Sequence, residues 1–300
     1  MDSDFVGLAA SNLFRFGSLP VAKIHIEVSL AAEELFKIGP IPVTNAMLTM
    51  FIVMALILIV FSAIARKATL VPGRGQGVLE AIAEFLLGLV EGTAGKRVGR
   101  RIFPLIGALF IFILFANYSG LFPGVGTIGT VHHNEEGERI LKPFLRSPNA
   151  DLNMTLAMAL ITFTVVQIAG VRAHGVRGRI KHMADPWWIF PLEVIQEFAR
   201  IISLSFRLFG NVFAGEILLA VMYAIANAVK LVVIPILFPV VFLGLELLFG
   251  TIQALVFALL TLIYITLATA GEHGDEDHEH ELGHEPAASG AQAARAGTGD

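Results

Sequence analysis

Residues 43–64 run without one charged side chain, and Arg66 and Lys67 follow directly. A helix rises about 1.5 Å per residue, so roughly 20 apolar residues cross a hydrocarbon core ~30 Å thick. No water inside that core satisfies peptide groups, so such a segment keeps its hydrogen bonds within itself as a helix. The feature recurs. Residues 102–122 and 152–171 are further apolar stretches, and two longer ones occupy residues 187–226 and 231–270. The reading is an all-α, polytopic helical membrane protein with about five membrane helices.

Composition agrees. Hydrophobic residues make up 55% of the chain, charged residues 15%, and mean hydropathy is +0.74. Soluble domains carry about 25% charged residues. A soluble globule, a disordered chain, a collagen and a nucleic-acid-binding protein are excluded. The formal charge of −4 is a property of the end of the chain. Residues 271–300 hold eight acids against Arg295, or −7, which leaves the preceding 270 residues at +3. There is no cysteine, so no disulfide framework or thiolate metal site is available. The first ten residues are acidic where a secretion signal is basic, and no cleavable signal is expected.

Three units follow. Residues 1–42 are interrupted by Pro20, Gly39, Pro40 and Pro42, and form an N-terminal outside segment in which residues 22–36 suggest a short surface helix. Residues 43–270 form the membrane domain. Residues 271–300, with His273, His278, His280 and His284, form an acidic, disordered tail. Within the membrane domain, Pro72-Gly73 breaks the chain, and residues 77–98 then alternate on a helical period. Leu79, Ile82, Leu86 and Val90 mark an apolar side, while Glu80, Glu84 and Glu91 mark a wet one, the pattern of an amphipathic helix on the membrane surface. Residues 123–150 read as a loop. Asp185-Pro186-Trp187-Trp188 reads as a helix cap with an interfacial aromatic anchor.

The last two apolar segments are each about 40 residues, or ~60 Å as helix, twice the hydrocarbon thickness. Two spans with a turn at Phe249-Gly250 would accommodate the second; so would steep inclination of both. With one crossing each, eleven Lys and Arg residues flank one membrane side and seven the other. The positive-inside rule then places the N-terminus outside and the tail in the cytoplasm.

Charges inside these segments carry the chemistry. Arg207 lies in the middle of the first, where burying a guanidinium in hydrocarbon costs about 2.5–3.5 kcal/mol or more. At 100° per residue, Glu193, Gln196, Arg200, Ser203, Arg207 and Asn211 follow one stripe. Glu216 is nine residues beyond Arg207, half a turn round, so a simple pair within the helix is excluded. Glu246 and Gln253 share a face of the last segment. Carboxyls take up and release protons; a guanidinium does not, but its charge drives a neighbouring carboxylic acid to ionise. The set suggests a proton pathway with an electrostatic gate. Asp151, before a span, is read equally as a helix cap and as part of the outer pathway. Asn117 and Tyr118 are assigned to helix packing.

Arg207-Leu208-Phe209-Gly210-Asn211, with Ala214-Gly215-Glu216, strongly resembles the signature of the a subunit of F-type ATP synthases. Residues 147–155, SPNADLNMT, are similar to that family's approach to a span, and Gln253 and Tyr264 fall where its last helix carries similar residues. The resemblance covers roughly residues 24–270. It implies a steeply inclined C-terminal helix hairpin curving round a rotor ring of c subunits. It further implies that Arg207 faces the rotor carboxylates and blocks leakage between two offset half-channels. Glu216, Glu246 and Gln253, with Asn211, would line the outer half-channel, and Glu193 and Ser203 the cytoplasmic exit, with Arg200 at its mouth. Some relatives carry His where this chain has Glu246. The implied protein is a non-catalytic, proton-translocating stator subunit of a bacterial inner membrane. Its partners would be the c ring, b-type peripheral stalk subunits, other synthase subunits and lipid, with no nucleic acid. No cofactor and no metal is expected, and the chain has no phosphate-binding Gly-Lys loop, so ATP chemistry belongs to other subunits. Two other classes compete. A secondary transporter should show inverted repeats and broken helices. A redox or metal enzyme needs ligands, and no histidine lies inside a proposed span.

Overall fold

The computed structural model describes residues 32–126, 128–133, 139–183, 188–228 and 234–269. Five helices long and apolar enough to cross a membrane organise it. We number them α1 (Asn45–Arg66), α2 (Arg74–Ser119), α3 (Leu152–Met183), α4 (Phe190–Ala228) and α5 (Ile234–Thr269). The chain is a polytopic all-α membrane protein with two small hairpins at its loops.

The first hairpin pairs β1 (Glu34–Ile38) with β2 (Ile41–Thr44). Gly39 turns it at φ 62°, a conformation that costs residues with a Cβ about 1–2 kcal/mol. The surface helix expected over residues 22–36 is therefore wrong at Glu34–Phe36, where the chain is strand; residues before 32 lie outside those described. Thr44 ends β2 and caps α1, its Oγ1 accepting from the Met47 N–H at 3.3 Å.

α2 is two arms that meet at Gly95 (φ 73°, ψ 159°). The first arm, up to Gly95, contains most of the expected amphipathic stretch. The second crosses the membrane. They fold back closely, since a Cβ at Gly99 would stand 3.2 Å from Glu91 Cα and the Val90 carbonyl oxygen. Arg100 Nε donates to Glu91 at 2.7 Å across the same bend. Leu86 and Val90 turn inward, while Glu80 and Glu84 are exposed.

The loop expected over residues 123–150 contains more order than its sequence suggests. β3 (Gly129–His133) pairs antiparallel with β4 (Arg139–Pro143), and a short 3-10 turn, Pro148–Ala150, precedes α3. Gly129 is required there, because a Cβ would overlap the Lys142 carbonyl. α3 bends at Gly175 (φ 71°) beyond its apolar part.

α4 and α5 are continuous helices of 39 and 36 residues. No turn interrupts α5 at Phe249-Gly250, which removes the two-span alternative. The core lies between the second arm of α2, α3, α4 and α5, around Ile106, Ile113, Leu208, Phe257, Leu262 and Ile265. Polar bonds fix the helix register. Ser205 and Thr155 share a 3.1 Å hydrogen bond between α4 and α3. Asn117 Nδ2 donates to the Gly250 carbonyl at 2.9 Å, Asn117 Oδ1 accepts from Asn149 Nδ2 at 2.7 Å, and Tyr118 bonds Thr251 at 2.6 Å. The packing role expected for Asn117 and Tyr118 is what they perform. The Asp185–Trp187 part of the expected cap and the acidic tail lie outside the described residues.

Candidate functional site

α4 has two faces. One buries Glu197, Ile201, Leu204, Ser205, Leu208 and Val212 against the bundle. The other exposes Ile195, Phe198, Ile202 and Phe206, and carries Arg207 among them. Arg207 is 17 residues from the start of α4, or about 25 Å along its axis. Its guanidinium reaches Ser203 Oγ at 3.5 Å, one turn back on the same face. An arginine halfway along an apolar helix, turned away from its own bundle, has no compensation for its charge from the bundle core. Asn211, half-buried, continues the stripe, and Glu193 opens it in the first turn of α4.

Glu216 belongs to a different cluster. It sits on the inward side of α4, and Arg146 donates to its Oε2 from both Nε (3.2 Å) and Nη2 (3.1 Å). The Arg146 side chain is 8% exposed and that of Glu216 24%. Arg146 is tied down at its backbone as well, its N–H donating to Thr49 Oγ1 of α1 at 3.2 Å. Glu246 approaches from α5. A Cβ at Gly215 would fall on its carboxylate, so the glycine is what admits that carboxylate to the flank of α4. Glu216 and Glu246 are close enough to interact electrostatically. Gln253, two turns along α5 from Glu246, is buried with its Nε2 unpartnered.

A third cluster lies between α3, α4 and α5. Arg200 Nη1 meets both oxygens of Glu197 at 3.2 and 3.3 Å, and stacks over the Tyr264 ring at 4.2 Å. Thr162 lines the same recess with its Oγ1 buried and unpartnered.

The residues expected from sequence thus divide. Glu216 and Glu246 come together; Arg207 and Ser203 share the outward face; Gln253 is buried on α5. Asp151 is buried, and its Oδ1 accepts from the Asn153 N–H at 3.0 Å, which makes it a helix cap. Sequence reasoning missed Arg146 as the partner of Glu216. A signal was present, since Arg146 stands directly before the SPNAD motif. Glu197, the partner of Arg200, is a second residue that the sequence pattern did not single out. No group of His, Asp or Glu among the described residues has the arrangement of a metal site.

Five membrane-length helices, with Arg207, Glu216 and Glu246 on the last two, define a multi-pass membrane protein. Residues 47–266 match the family described as ATP synthase A chain. The chain is 40% identical over 222 residues to ATP synthase subunit a of Moorella thermoacetica, covering 74% of this chain and 88% of that one. It is 35% identical over 230 residues to the subunit a of Desulforamulus reducens (76% and 80%), and 36% identical over 234 residues to that of Gloeobacter violaceus (78% and 86%). The chain belongs to the F-type ATP synthase subunit a family.

Proposed function

We propose that this chain is the stator of the synthase membrane sector, carrying protons to and from a rotor ring of c subunits through two offset half-channels, and performing no catalysis of its own. The observation that carries the reading is Arg207, a permanent cation exposed halfway along an apolar helix face. Such a charge needs an anionic partner outside the chain. A rotor carboxylate supplies one, becomes ionised beside it, and gives up its proton. The outer half-channel comprises Glu216, Glu246 and Gln253, with Asn211 nearby and Asp151 at its margin. Glu193 and Ser203 belong to the exit, with Arg200 at its mouth. The N-terminus is outside and the tail cytoplasmic, in a bacterial inner membrane, with b-type stalk subunits holding the chain against the rotor.

The test is cysteine cross-linking, for which the cysteine-free chain is a clean background. Single cysteines at Ser203, Leu208, Asn211 and Ile217 are probed against cysteines on a co-expressed c subunit. Disulfides from the Arg207 face, and none from the buried Leu208, are expected. A folded protein that cross-links from no position would return the transporter reading to first place.

A further inference from the structure

Two basic runs flank the end of α5. The contacts between helices set their levels. Asn117 bonds the Gly250 carbonyl; from there the buried residues of α2 run backward through Ile113, Phe110 and Ile106, while those of α5 run forward through Phe257, Leu262 and Ile265. The two helices are therefore antiparallel, and Lys96, Arg97 and Arg101 lie beside and just beyond the last turn of α5. On the other flank, Thr155 of α3 meets Ser205 of α4, and Thr162 and Val166 share a recess with Arg200, so α3 runs against α4. α5 runs against α4 as well, with Glu246 beside Gly215 and Tyr264 beneath Arg200. α3 and α5 thus run the same way, and Arg172 and Arg177 follow Val166 to the level where α5 ends at Thr269. Lys96, Arg97, Arg101, Arg172 and Arg177 are all exposed, and none has an ion-pair partner among the described residues. Arg100, by contrast, is engaged by Glu91.

The chain supplies the opposite charge at that same point. Residues 271–285 begin two positions after Thr269 and hold seven carboxyls with no lysine or arginine. We propose that this acidic segment docks on the basic surface formed by Lys96, Arg97 and Arg101 of α2 and Arg172 and Arg177 of α3. Its reach is sufficient. An extended chain spans about 3.3–3.6 Å per residue, so residues 275–281 extend ~20–40 Å from Thr269. Packed helices are only about 8–10 Å apart. A single exposed ion pair is weak and is screened by salt. A tether changes this, because it holds the two surfaces at an effective concentration of the order of millimolar, and several pairs then act together. Anionic lipid headgroups and acidic faces of other subunits offer the same chemistry, but neither is covalently held at the end of α5. The juxtaposition holds whichever side of the membrane this end of the bundle faces, and it is independent of the stator reading.

The experiment is disulfide trapping in the assembled synthase, in membrane vesicles at low salt. L282C, in the acidic segment, is combined in turn with V98C on α2, V176C on α3 and F122C past the far end of α2; the three partner positions are exposed. L282C should cross-link to V98C or V176C in several-fold higher yield than to F122C. The yield should fall about threefold or more when salt is raised to about 0.5 M, because screening weakens exposed pairs. It should fall as far at low salt when D275N, E276Q, D277N, E279Q and E281Q together remove the tail's charge, and when R97Q, R101Q and R172Q remove the surface's. The tail variant alters no residue of the bundle, so it remains a test if the surface variant fails to assemble. Yields at V98C and V176C no higher than at F122C overturn the proposal. So does a neutralised tail that cross-links as well as the parent, since the contact is then not electrostatic. A cross-link that forms in phosphatidylcholine vesicles and is lost when phosphatidylglycerol is added assigns the surface to lipid instead. One that forms only after the other subunits are stripped away assigns it to a neighbouring subunit. Either result also overturns the proposal.

Discussion

The Glu246 carboxylate occupies the space where a side chain at Gly215 would begin. The helical conformation of Gly215 asks for no glycine; the neighbour from α5 does. A Gly215→Ala substitution therefore leaves α4 helical and displaces the carboxylate from the flank of Glu216. The expected result is an assembled complex whose proton flux falls several-fold, with no loss of helix content by circular dichroism. Flux equal to the parent's would mean that the Glu216–Glu246 approach is not used.

Arg207 and Glu216 are on the same helix and on different sides of it. Their roles separate accordingly. Arg207→Ala should reduce gradient-driven ATP synthesis to background while the complex still assembles, because Arg207 makes its contacts outside the bundle core. Substantial synthesis by an assembled Arg207→Ala complex would sink the gate assignment. Purification of the variant with its partner subunits, followed by synthesis assays in proteoliposomes, is the measurement.

The spans were legible in the sequence because length and the absence of charge leave little choice inside hydrocarbon. The stripe from Glu193 through Arg207 was legible because helical period is local. What escaped was non-local. Arg146 and Glu216 are 70 positions apart, and no periodicity connects them. The β3–β4 hairpin escaped for another reason. Its strands are five residues each, polar at one end, and their pairing depends on the absence of a Cβ at Gly129. The bend at Gly95 was legible only as a boundary between an amphipathic and an apolar stretch. Its left-handed backbone, and the ion pair from Glu91 to Arg100 across it, needed the fold.

Glu246→Gln keeps the shape of the side chain and removes its ability to carry a proton. It should slow both ATP-driven pumping and passive flux at least tenfold, without loss of the complex. Proton uptake followed by a pH-sensitive dye in vesicles reads both. Unchanged flux in the two modes would take Glu246 out of the pathway.

Asn117 offers a prediction about stability. Its amide joins the Gly250 carbonyl of α5 to the Asn149 side chain before α3, and all three residues are buried. Alanine there leaves the Asn149 amide and the Gly250 carbonyl without this partner. An unmade buried hydrogen bond costs about 1–3 kcal/mol, and bonds between membrane helices measure nearer 1. Asn117→Ala should therefore lower the melting temperature of the detergent-solubilised protein by a few degrees while leaving the pH profile of proton flux unmoved. Aspartate at the same position keeps the acceptor for Asn149 and, when ionised, loses the donor to Gly250. It should destabilise at least as much as alanine, because it adds a buried charge. An Asn117→Asp protein as stable as the parent would mean that the Gly250 bond contributes little to holding α2 against α5.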